Sequence, residues 1–263
     1  MAKQKHNNDY LSLSTRAPKG WDKDATKRKT IAIYQELDEL QNLMYAQGKH
    51  GVLVVIQGMD ASGKDGLIRD VFGAMNPQGV NVQSFKVPTK EEAAHDFLWR
   101  IHKNTPERGM IQVFNRSHYE DVLVTRVHGW CDDDTAKQRM RAINDFERML
   151  EDNNTHIIKL YLHVSPEKQM ERLKERISIP EKMWKYNEAD FAEAKEWDSY
   201  RKYYADVFEK CDDIPWNIIP ADQNWYKSYL VASLLRDKLK SLKMKFPGLK
   251  KESLESAAVI IAQ

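Results

Sequence analysis

The sequence has little cysteine, no long hydrophobic run and no excess of one charge. Its two cysteines, Cys131 and Cys211, are far apart and form no C-x-x-C pair, which argues against a zinc ribbon or a disulfide scaffold and favours a reducing compartment. The longest apolar runs, 52–56 and 257–262, are too short to span a bilayer, and the polar segment 1–30 lacks the apolar core of a secretory signal. We therefore expect a cytoplasmic protein that has no membrane partner.

The charge balance argues against another class of partner. Lys and Arg number 41 against 39 Asp and Glu, so the overall composition does not indicate binding to nucleic acid. Any anion-binding site must therefore be local. At 263 residues, with 41% hydrophobic and 30% charged, the chain can form one large α/β domain with an insertion or two small domains, and we favour the single domain.

Strand-like and helix-like patterns alternate along the chain. Apolar or β-branched runs predict strands at 52–56, 80–87, 110–114, 156–164 and 216–219, and helical patterns cover 30–47, 66–72, 90–103 and 135–150. This alternation predicts a three-layer α/β/α sandwich with a mostly parallel five-stranded sheet. The polar stretch 166–210 predicts two helical segments interrupted at Ile179-Pro180, which would project from the sheet as a helical lid. We divide the chain into an N-terminal arm (1–30), a domain with the lid (31–245) and a C-terminal tail (246–263).

The glycine-rich segment GMDASGKDG at 58–66 is the most informative motif. It fits the Walker A pattern G-x-x-x-x-G-K, and it follows a predicted strand and opens a predicted helix, as a P-loop must. Backbone N–H groups and the helix N-terminus attract anions here, but two carboxylates would repel a bare phosphate. We therefore predict Mg²⁺, with Mn²⁺ as the alternative, held by Asp60 and Asp65. Phosphate is expected at Gly58, Ala61, Ser62, Gly63, Lys64, Asp65 and Gly66.

Basic residues follow three of the predicted strands. Lys64, Lys86 and Arg116 should converge, because ligands bind at the carboxyl ends of strands in an open parallel sheet. A single lysine at a strand end is more often a solvated surface residue, so Lys86 alone is as well explained by that alternative.

The third strand runs into NRSHYEDV at 115–122, where P-loop enzymes commonly place a metal-binding Asp. Asn115 stands there instead, which leaves open whether Asn115 or Asp65 is the second metal ligand. Glu120 and Asp121 could order metal waters or recognise a nucleotide, and Asp121 could instead favour the N-terminus of the next helix. We interpret His118 as structural, because phosphoryl transfer needs positioning and charge neutralisation more than proton abstraction.

Basic residues in the lid recur with helical spacing. Lys168, Arg172 and Arg176 share one helix face, which could close over phosphates. The alternative is a surface helix whose cations pair with Glu171 and Glu175.

Four separated segments resemble the second polyphosphate kinase family: 58–66, SFKVP at 84–88, NRSHYEDVLV at 115–124 and WKY at 184–186. The stretch 119–128 is similar to the class III subgroup. The resemblance implies a thymidylate-kinase-like P-loop fold and often a homo-oligomer. It implies catalytic roles for Asp60, Lys64, Arg116 and Arg176, and it places Glu120 where a preference for mononucleotides is encoded. We add Lys86 and Arg126 to the polyphosphate groove, and we expect nucleotide at Asn115, Arg116, Glu120, Asp121, Arg172, Arg176 and Lys185.

The expected reaction is Mg²⁺-dependent transfer of the terminal phosphate of inorganic polyphosphate to AMP, ADP and other nucleoside mono- and diphosphates, reversible in principle. Two alternatives share these features. One is an ATP-dependent nucleoside monophosphate kinase, and the other is a non-catalytic nucleotide-binding switch module.

Overall fold

In the computed structural model, which describes residues 10–248, five parallel strands form one sheet. The strands are β1 (Gly51–Gln57), β2 (Val80–Ser84), β3 (Ile111–Asn115), β4 (Thr155–His163) and β5 (Trp216–Pro220), in the spatial order β2-β3-β1-β4-β5. Every residue of β1 is buried, with Val54 opposite Val113 of β3 and Ile158 of β4. A central parallel strand has both faces covered, which explains its unbroken apolar sequence. The predicted five-stranded parallel sheet is confirmed.

The strand order determines where a ligand can bind. The chain passes from β1 to β2 and β3 on one side and then to β4 and β5 on the other, so the direction of winding reverses at β1. Open α/β sheets bind ligands at such a switch point, beyond the carboxyl ends of the strands.

Helices flank the sheet, as expected for the α/β class. α1 packs along α11, which also contacts α2, and α6 packs against β4 and α10. None of the helices between residues 10 and 248 has the length and apolar character needed to cross a bilayer. The helices are α1 (Lys23–Gln47), α2 (Lys64–Val71), α3 (Lys90–Ala93), α4 (Trp99–His102), α5 (Val124–Val127), α6 (Asp133–Asp152), α7 (Pro166–Ser178), α8 (Pro180–Met183), α9 (Glu188–Lys195), α10 (Trp197–Lys210) and α11 (Asn224–Ser241).

The N-terminal segment is more ordered than the sequence pattern indicated. α1 begins at Lys23, because the Asp22 carboxylate accepts a hydrogen bond from Ala25 N at 2.5 Å and caps the helix. Upstream, Thr15 Oγ1 donates to Asp222 Oδ2 at 2.8 Å. Within the predicted arm (1–30), residues 10–30 thus include the start of α1 and a contact with the domain, whereas residues 1–9 lie outside the described part. Residues 249–263 do too, so the role of the tail stays a prediction.

Two other elements differ from their predicted extents. β2 ends at Ser84, and the helix predicted for 90–103 is divided into α3 and α4. The division occurs where Asp96 Oδ1 accepts a hydrogen bond from Leu98 N at 3.0 Å, a local turn that competes with a continuous helix.

The lid contains four helices, α7 to α10, instead of the two that we predicted. The predicted interruption at Ile179-Pro180 is confirmed, since Pro180 opens α8. Asn187 caps α9 by accepting a hydrogen bond from Ala189 N at 3.1 Å, which creates a second break that the helical composition had concealed.

Candidate active site

The loop between β1 and α2 turns sharply at the carboxyl end of the central strand. Ala61 has φ +57° and Gly63 has φ +94°, both in the left-handed region, which glycine enters readily and alanine rarely. The turn leads directly into α2, whose first N–H groups have no partners within the helix. These donors make the loop suitable for an anion.

Each carbonyl from Gly58 to Gly63 accepts a hydrogen bond from a side chain. Lys64 Nζ donates to Gly58 O (2.8 Å) and Met59 O (3.2 Å), and Gln169 Nε2 donates to Asp60 O (3.0 Å). Arg172 Nη1 donates to Ala61 O (3.0 Å) and Ser62 O (2.9 Å), and Lys227 Nζ donates to Gly63 O (2.9 Å). These donors hold the carbonyls in place, so the N–H groups of the same peptides, which point the opposite way, can face a ligand.

Lys64, the first residue of α2, is buried beneath the phosphate loop that precedes it. Burial lowers the pKa of its ammonium and the charge of Arg116 lowers it further, while Asp60 and Glu120 act in the opposite direction. Its hydrogen-bond partners are neutral carbonyls, so a phosphate in the loop would give this cation an anionic partner.

Asp60 and Arg116 form an ion pair across the mouth of the loop, with Arg116 Nη2 2.7 Å from Asp60 Oδ1. Arg116 follows β3 directly and has φ +63°, a strained conformation for a side-chain-bearing residue. Burial disfavours the guanidinium cation, but the carboxylates of Asp60 and Glu120 hold the pKa of Arg116 above its usual range. The sequence prediction that Arg116 lies beside the loop is consistent with this geometry.

Glu120 lies behind the ion pair. Burial raises the pKa of its carboxyl, whereas the positive charges of Arg116 and Lys64 oppose that rise. With its amide nitrogen turned toward this carboxylate, Gln57 donates to Glu120 Oε1 at 2.8 Å. A half-buried acid next to two cations can respond to the charge of whatever phosphate they bind.

Asp65 connects the loop to both β3 and the lid. Its Oδ1 accepts a hydrogen bond from Asn115 Nδ2 at 3.0 Å, and its Oδ2 lies 3.3 Å from Lys185 Nζ. Burial would raise the pKa of Asp65, but Asn115 and Lys185 lower it, so the carboxylate is ionised at neutral pH. Lys185 therefore lies beside the phosphate loop, and its predicted contact with nucleotide stays a prediction.

The lid arginine Arg176 is paired inside the lid. Its Nη1 contacts the Asp190 carboxylate and also donates to Lys185 O at 3.2 Å. Burial and the nearby charge of Asp60 raise the pKa of Asp190, and Arg176 opposes this. The electrostatic coupling of both residues to Asp60 puts this pair near the loop.

Two predicted ligands have structural partners instead. The Arg126 guanidinium donates to Asp133 Oδ1 (2.6 Å) and Asp206 Oδ2 (3.0 Å) and lies 4.1 Å from the centroid of the Tyr203 ring. Arg126 therefore holds α10 against α6, and its predicted place in the phosphate groove stays a prediction. Arg172 donates to loop carbonyls and to Ala221 O at 2.8 Å, so it holds the loop in place, and its predicted contact with nucleotide likewise stays a prediction.

The remaining two predictions on this side of the sheet have different outcomes. Asp121 Oδ2 lies 3.5 Å from Arg100 Nη2 and does not cap α5, and its predicted contact with nucleotide stays a prediction. Lys86 has an exposed side chain, with no ion pair to any residue in the range 10–248, and stays available to a ligand. In the lid, Lys168 pairs with Glu171 at 2.6 Å, which agrees with the surface-helix alternative.

A buried ionic network supports the turn that carries Arg116 and Glu120. Lys159 Nζ on β4 contacts Glu147 Oε2, Tyr119 OH and Cys211 O, each at 2.9 Å. Glu147 Oε1 also accepts from Tyr119 OH at 2.7 Å and lies 3.2 Å from His118 Nε2. His118 is fully buried, in agreement with its structural interpretation.

Sequence reasoning missed the residues that support the loop and this turn. Lys159 interrupts the apolar run of β4, and Lys227 continues the buried stripe of α11 formed by Val231, Leu235 and Leu239. A lysine at an apolar position is the signal that could have identified both, because a buried ammonium needs specific acceptors. Gln169 gave no such signal.

The comparisons with known proteins agree with this geometry. The sequence profile described as Polyphosphate kinase 2 (PPK2) matches residues 20–247. The chain belongs to the polyphosphate kinase 2 family. It is 45% identical over 227 residues to the AMP/ADP-polyphosphate phosphotransferase of Meiothermus ruber, covering 86% of this chain and 85% of that one.

Other polyphosphate kinase 2 relatives extend the match to structure. The ADP-polyphosphate phosphotransferase of Rhodopseudomonas palustris is 42% identical, covering 81% of this chain and 78% of its own. The crystal structure of polyphosphate kinase 2 from Arthrobacter aurescens superimposes with a TM-score of 0.91 at 39% identity, covering 96% of this chain and 92% of that one. The family resemblance and the P-loop kinase fold are thus confirmed.

Kinases of this kind generally use a divalent metal, and the polyphosphate kinase 2 site has oxygen ligands to offer. Between residues 10 and 248 there is no cluster of three or more His, Cys, Asp or Glu side chains able to hold a metal. Mg²⁺ keeps several waters and takes phosphate oxygens, so one or two carboxylates suffice. Asp60 has one oxygen, Oδ2, without a hydrogen bond from the described residues, whereas both oxygens of Asp65 have donors. Asp60 fits a metal better than Asp65 in this conformation.

Proposed function

We propose that this protein transfers the terminal phosphate of inorganic polyphosphate to nucleoside mono- and diphosphates, converting AMP to ADP and ADP to ATP, with Mg²⁺ and reversibly in principle. The observation that carries the proposal is the convergence of Lys64 and Arg116 on a loop whose carbonyls are already hydrogen-bonded. Relatives support the substrates: the M. ruber protein is named for AMP and ADP, and the R. palustris protein for ADP.

In this proposal, the loop N–H groups hold the end of the polyphosphate chain and the acceptor's phosphate oxygen attacks the terminal phosphorus in line. One P–O bond forms to the acceptor while the bond to the rest of the chain breaks, and the shortened polyphosphate leaves with the electron pair. Lys64, Arg116 and Arg176 offset the charge that spreads over the transferred group. Mg²⁺, when bound, would neutralise phosphate charge, and Asp60 would hold it, with Asp65 as the second candidate.

The ion pairs of the site must exchange partners during this cycle. Arg116 is bound to Asp60 and Arg176 to Asp190, so each guanidinium would leave or share a carboxylate when phosphate arrives. Arginine binds phosphate as well as it binds carboxylate, often through two hydrogen bonds, so the exchange conserves charge-assisted contacts. Closure of the lid over the phosphates would also exclude water and limit hydrolysis.

A donor test separates this proposal from its alternatives. The protein is incubated with AMP and either polyphosphate or ATP, and consumption of AMP is followed by chromatography. We expect AMP to be consumed with polyphosphate. Consumption with ATP alone would indicate an ATP-dependent monophosphate kinase, and tight nucleotide binding without turnover would indicate a switch module.

Two lysine variants make this test specific to the site. Lys64→Ala should abolish turnover, because it removes the cation under the loop. Lys168→Ala, which removes a surface lysine of α7, should leave turnover unchanged. Near-normal activity of Lys64→Ala would contradict the assigned mechanism. Association into homo-oligomers stays a prediction that light scattering can test.

A further inference from the structure

Lys227 is a buried lysine behind the phosphate loop. It lies on α11, is 1% exposed, and its Nζ donates to Gly63 O at 2.9 Å and to Asn224 Oδ1 at 3.2 Å. Burying an ammonium costs free energy unless it is well bonded, and these two neutral acceptors leave its charge without an anionic hydrogen-bond partner among residues 10–248. A buried cation at this position therefore calls for an explanation beyond packing.

The fit between Lys227 and the loop is close. A Cβ on Gly63 would lie 2.5 Å from Lys227 Nζ, a distance that side-chain carbons do not adopt. Gly63 is thus glycine for two reasons, its left-handed φ of +94° and the approach of this ammonium.

The contact fixes the direction of a peptide group. Gly63 O and Lys64 N–H belong to one planar trans peptide, in which they point to opposite sides. Lys227 bonds the oxygen from the α11 side, and Leu67 N bonds the same oxygen at 3.1 Å within α2, so the N–H is directed away from α11. Arg172 acts in the same way on Ser62 O, and hence on Gly63 N–H.

The charge of Lys227 is poised to respond to an anion. Burial, together with the cations Arg172 and Lys64, lowers the pKa of Lys227 to about 7, while Asp70 acts in the opposite direction. An anion on the loop would favour the protonated form, so phosphate binding and protonation of this lysine reinforce each other.

We propose that Lys227 is a positioning residue for polyphosphate, which holds the Gly63–Lys64 peptide with its N–H toward the bound phosphate and adds positive charge behind the loop without touching the ligand. This inference rests on the proposed polyphosphate substrate. It predicts an effect on polyphosphate affinity that is separate from the acceptor nucleotide and from stability.

The test measures tripolyphosphate binding by isothermal titration calorimetry, together with steady-state kinetics. Lys227→Met keeps the length of the side chain and removes its donor and its charge. We expect roughly a tenfold rise in Kd for tripolyphosphate and in KM for polyphosphate, about 1.4 kcal/mol of binding free energy, because the variant removes a positive charge behind the loop and the bond that orients one of its N–H donors. kcat should fall less than KM rises, and KM for ADP should stay as in the wild type.

A second variant and a pH series separate the donor from the charge. Lys227→Gln retains an N–H donor without charge and should have an intermediate Kd. In the wild type, the Lys227 pKa of about 7 is raised in the complex, so affinity should fall as pH rises through that value. The fall in affinity with pH should be shallower in both variants, because they lack the titration of Lys227. Titration of tripolyphosphate itself is the same for all three proteins and cancels in the comparison.

Ser228→Ala is the matched control. Ser228 is the next residue of α11, is also buried, and interacts with Tyr34 instead of the loop. It should leave Kd unchanged. Equal Kd values for the wild type, Lys227→Met and Lys227→Gln would overturn the inference, as would losses that only follow a fall in Tm. A wild type that binds no tripolyphosphate would instead contradict the proposed function.

Discussion

Removing the ammonium of Lys159 should destabilise the fold strongly, although none of its hydrogen bonds goes to the phosphate loop. Lys159 is fully buried, and its Nζ donates hydrogen bonds of 2.9 Å to Glu147 Oε2, Tyr119 OH and Cys211 O. Lys159→Met leaves the Glu147 carboxylate buried without its cation. Breaking a buried ion pair from one side costs about 3–5 kcal/mol, and we expect the lower end, since His118 and Tyr119 still contact that carboxylate.

Urea denaturation followed by circular dichroism measures this cost through the shift of the unfolding midpoint at unchanged m-value. The double variant Lys159→Met/Glu147→Leu removes both charges, so it should be more stable than Lys159→Met alone. A loss below about 1 kcal/mol for Lys159→Met, or a double variant less stable than the single one, would refute the reasoning.

The same pair predicts a dependence on pH. Burial would raise the pKa of Glu147, but His118 and Lys159 hold it below its usual value. A carboxyl with a lowered folded-state pKa contributes stability at neutral pH that is lost as the pH falls through that pKa. Lys159→Met removes one of the two causes, so its acid unfolding should begin at a higher pH than that of the wild type.

Two further predictions concern the loop and the acceptor. Gly63→Ala should raise KM for polyphosphate and lower stability by at least about 1–2 kcal/mol, because φ is +94° and the new Cβ would meet Lys227; a thermal melt with steady-state kinetics tests both, and a wild-type KM would contradict it. Glu120→Ala should lower kcat/KM for AMP more than for ADP, since we propose that Glu120 biases the site toward mononucleotides; equal losses on the two acceptors would refute that role.

The sequence was sufficient to predict the parts of this protein that depend on local pattern. The five strands follow from apolar runs, and the loop from glycines and Lys64 between a strand and a helix. Arg116 meets the loop residue Asp60 because β1 and β3 are parallel neighbours whose carboxyl ends share one edge of the sheet. The order and direction of the strands were therefore sufficient to predict that these residues lie close together.

The side-chain partners that local pattern does not reveal are distant in the chain. Arg126 resembled a phosphate ligand, but Asp206, which neutralises it together with Asp133, arrives from the lid. Arg172 of the lid was likewise predicted to contact nucleotide, and in the structure it donates hydrogen bonds to loop carbonyls that are far from it in sequence. A single sequence identifies these residues as cations but does not show which distant carboxylates or carbonyls accept their hydrogen bonds.

The ion pairs around the loop have a consequence for selectivity. Arg116, Arg176 and Lys185 each already hold a carboxylate of the same chain. Each carboxylate is held beside its cation by the chain and therefore has a high effective concentration there. Orthophosphate, which can contact only one of these cations at a time, competes weakly with it. A linear polyanion can engage several of them at once and displace the carboxylates together. For the proposed polyphosphate substrate, these internal acids would therefore favour a chain of phosphates over a single orthophosphate.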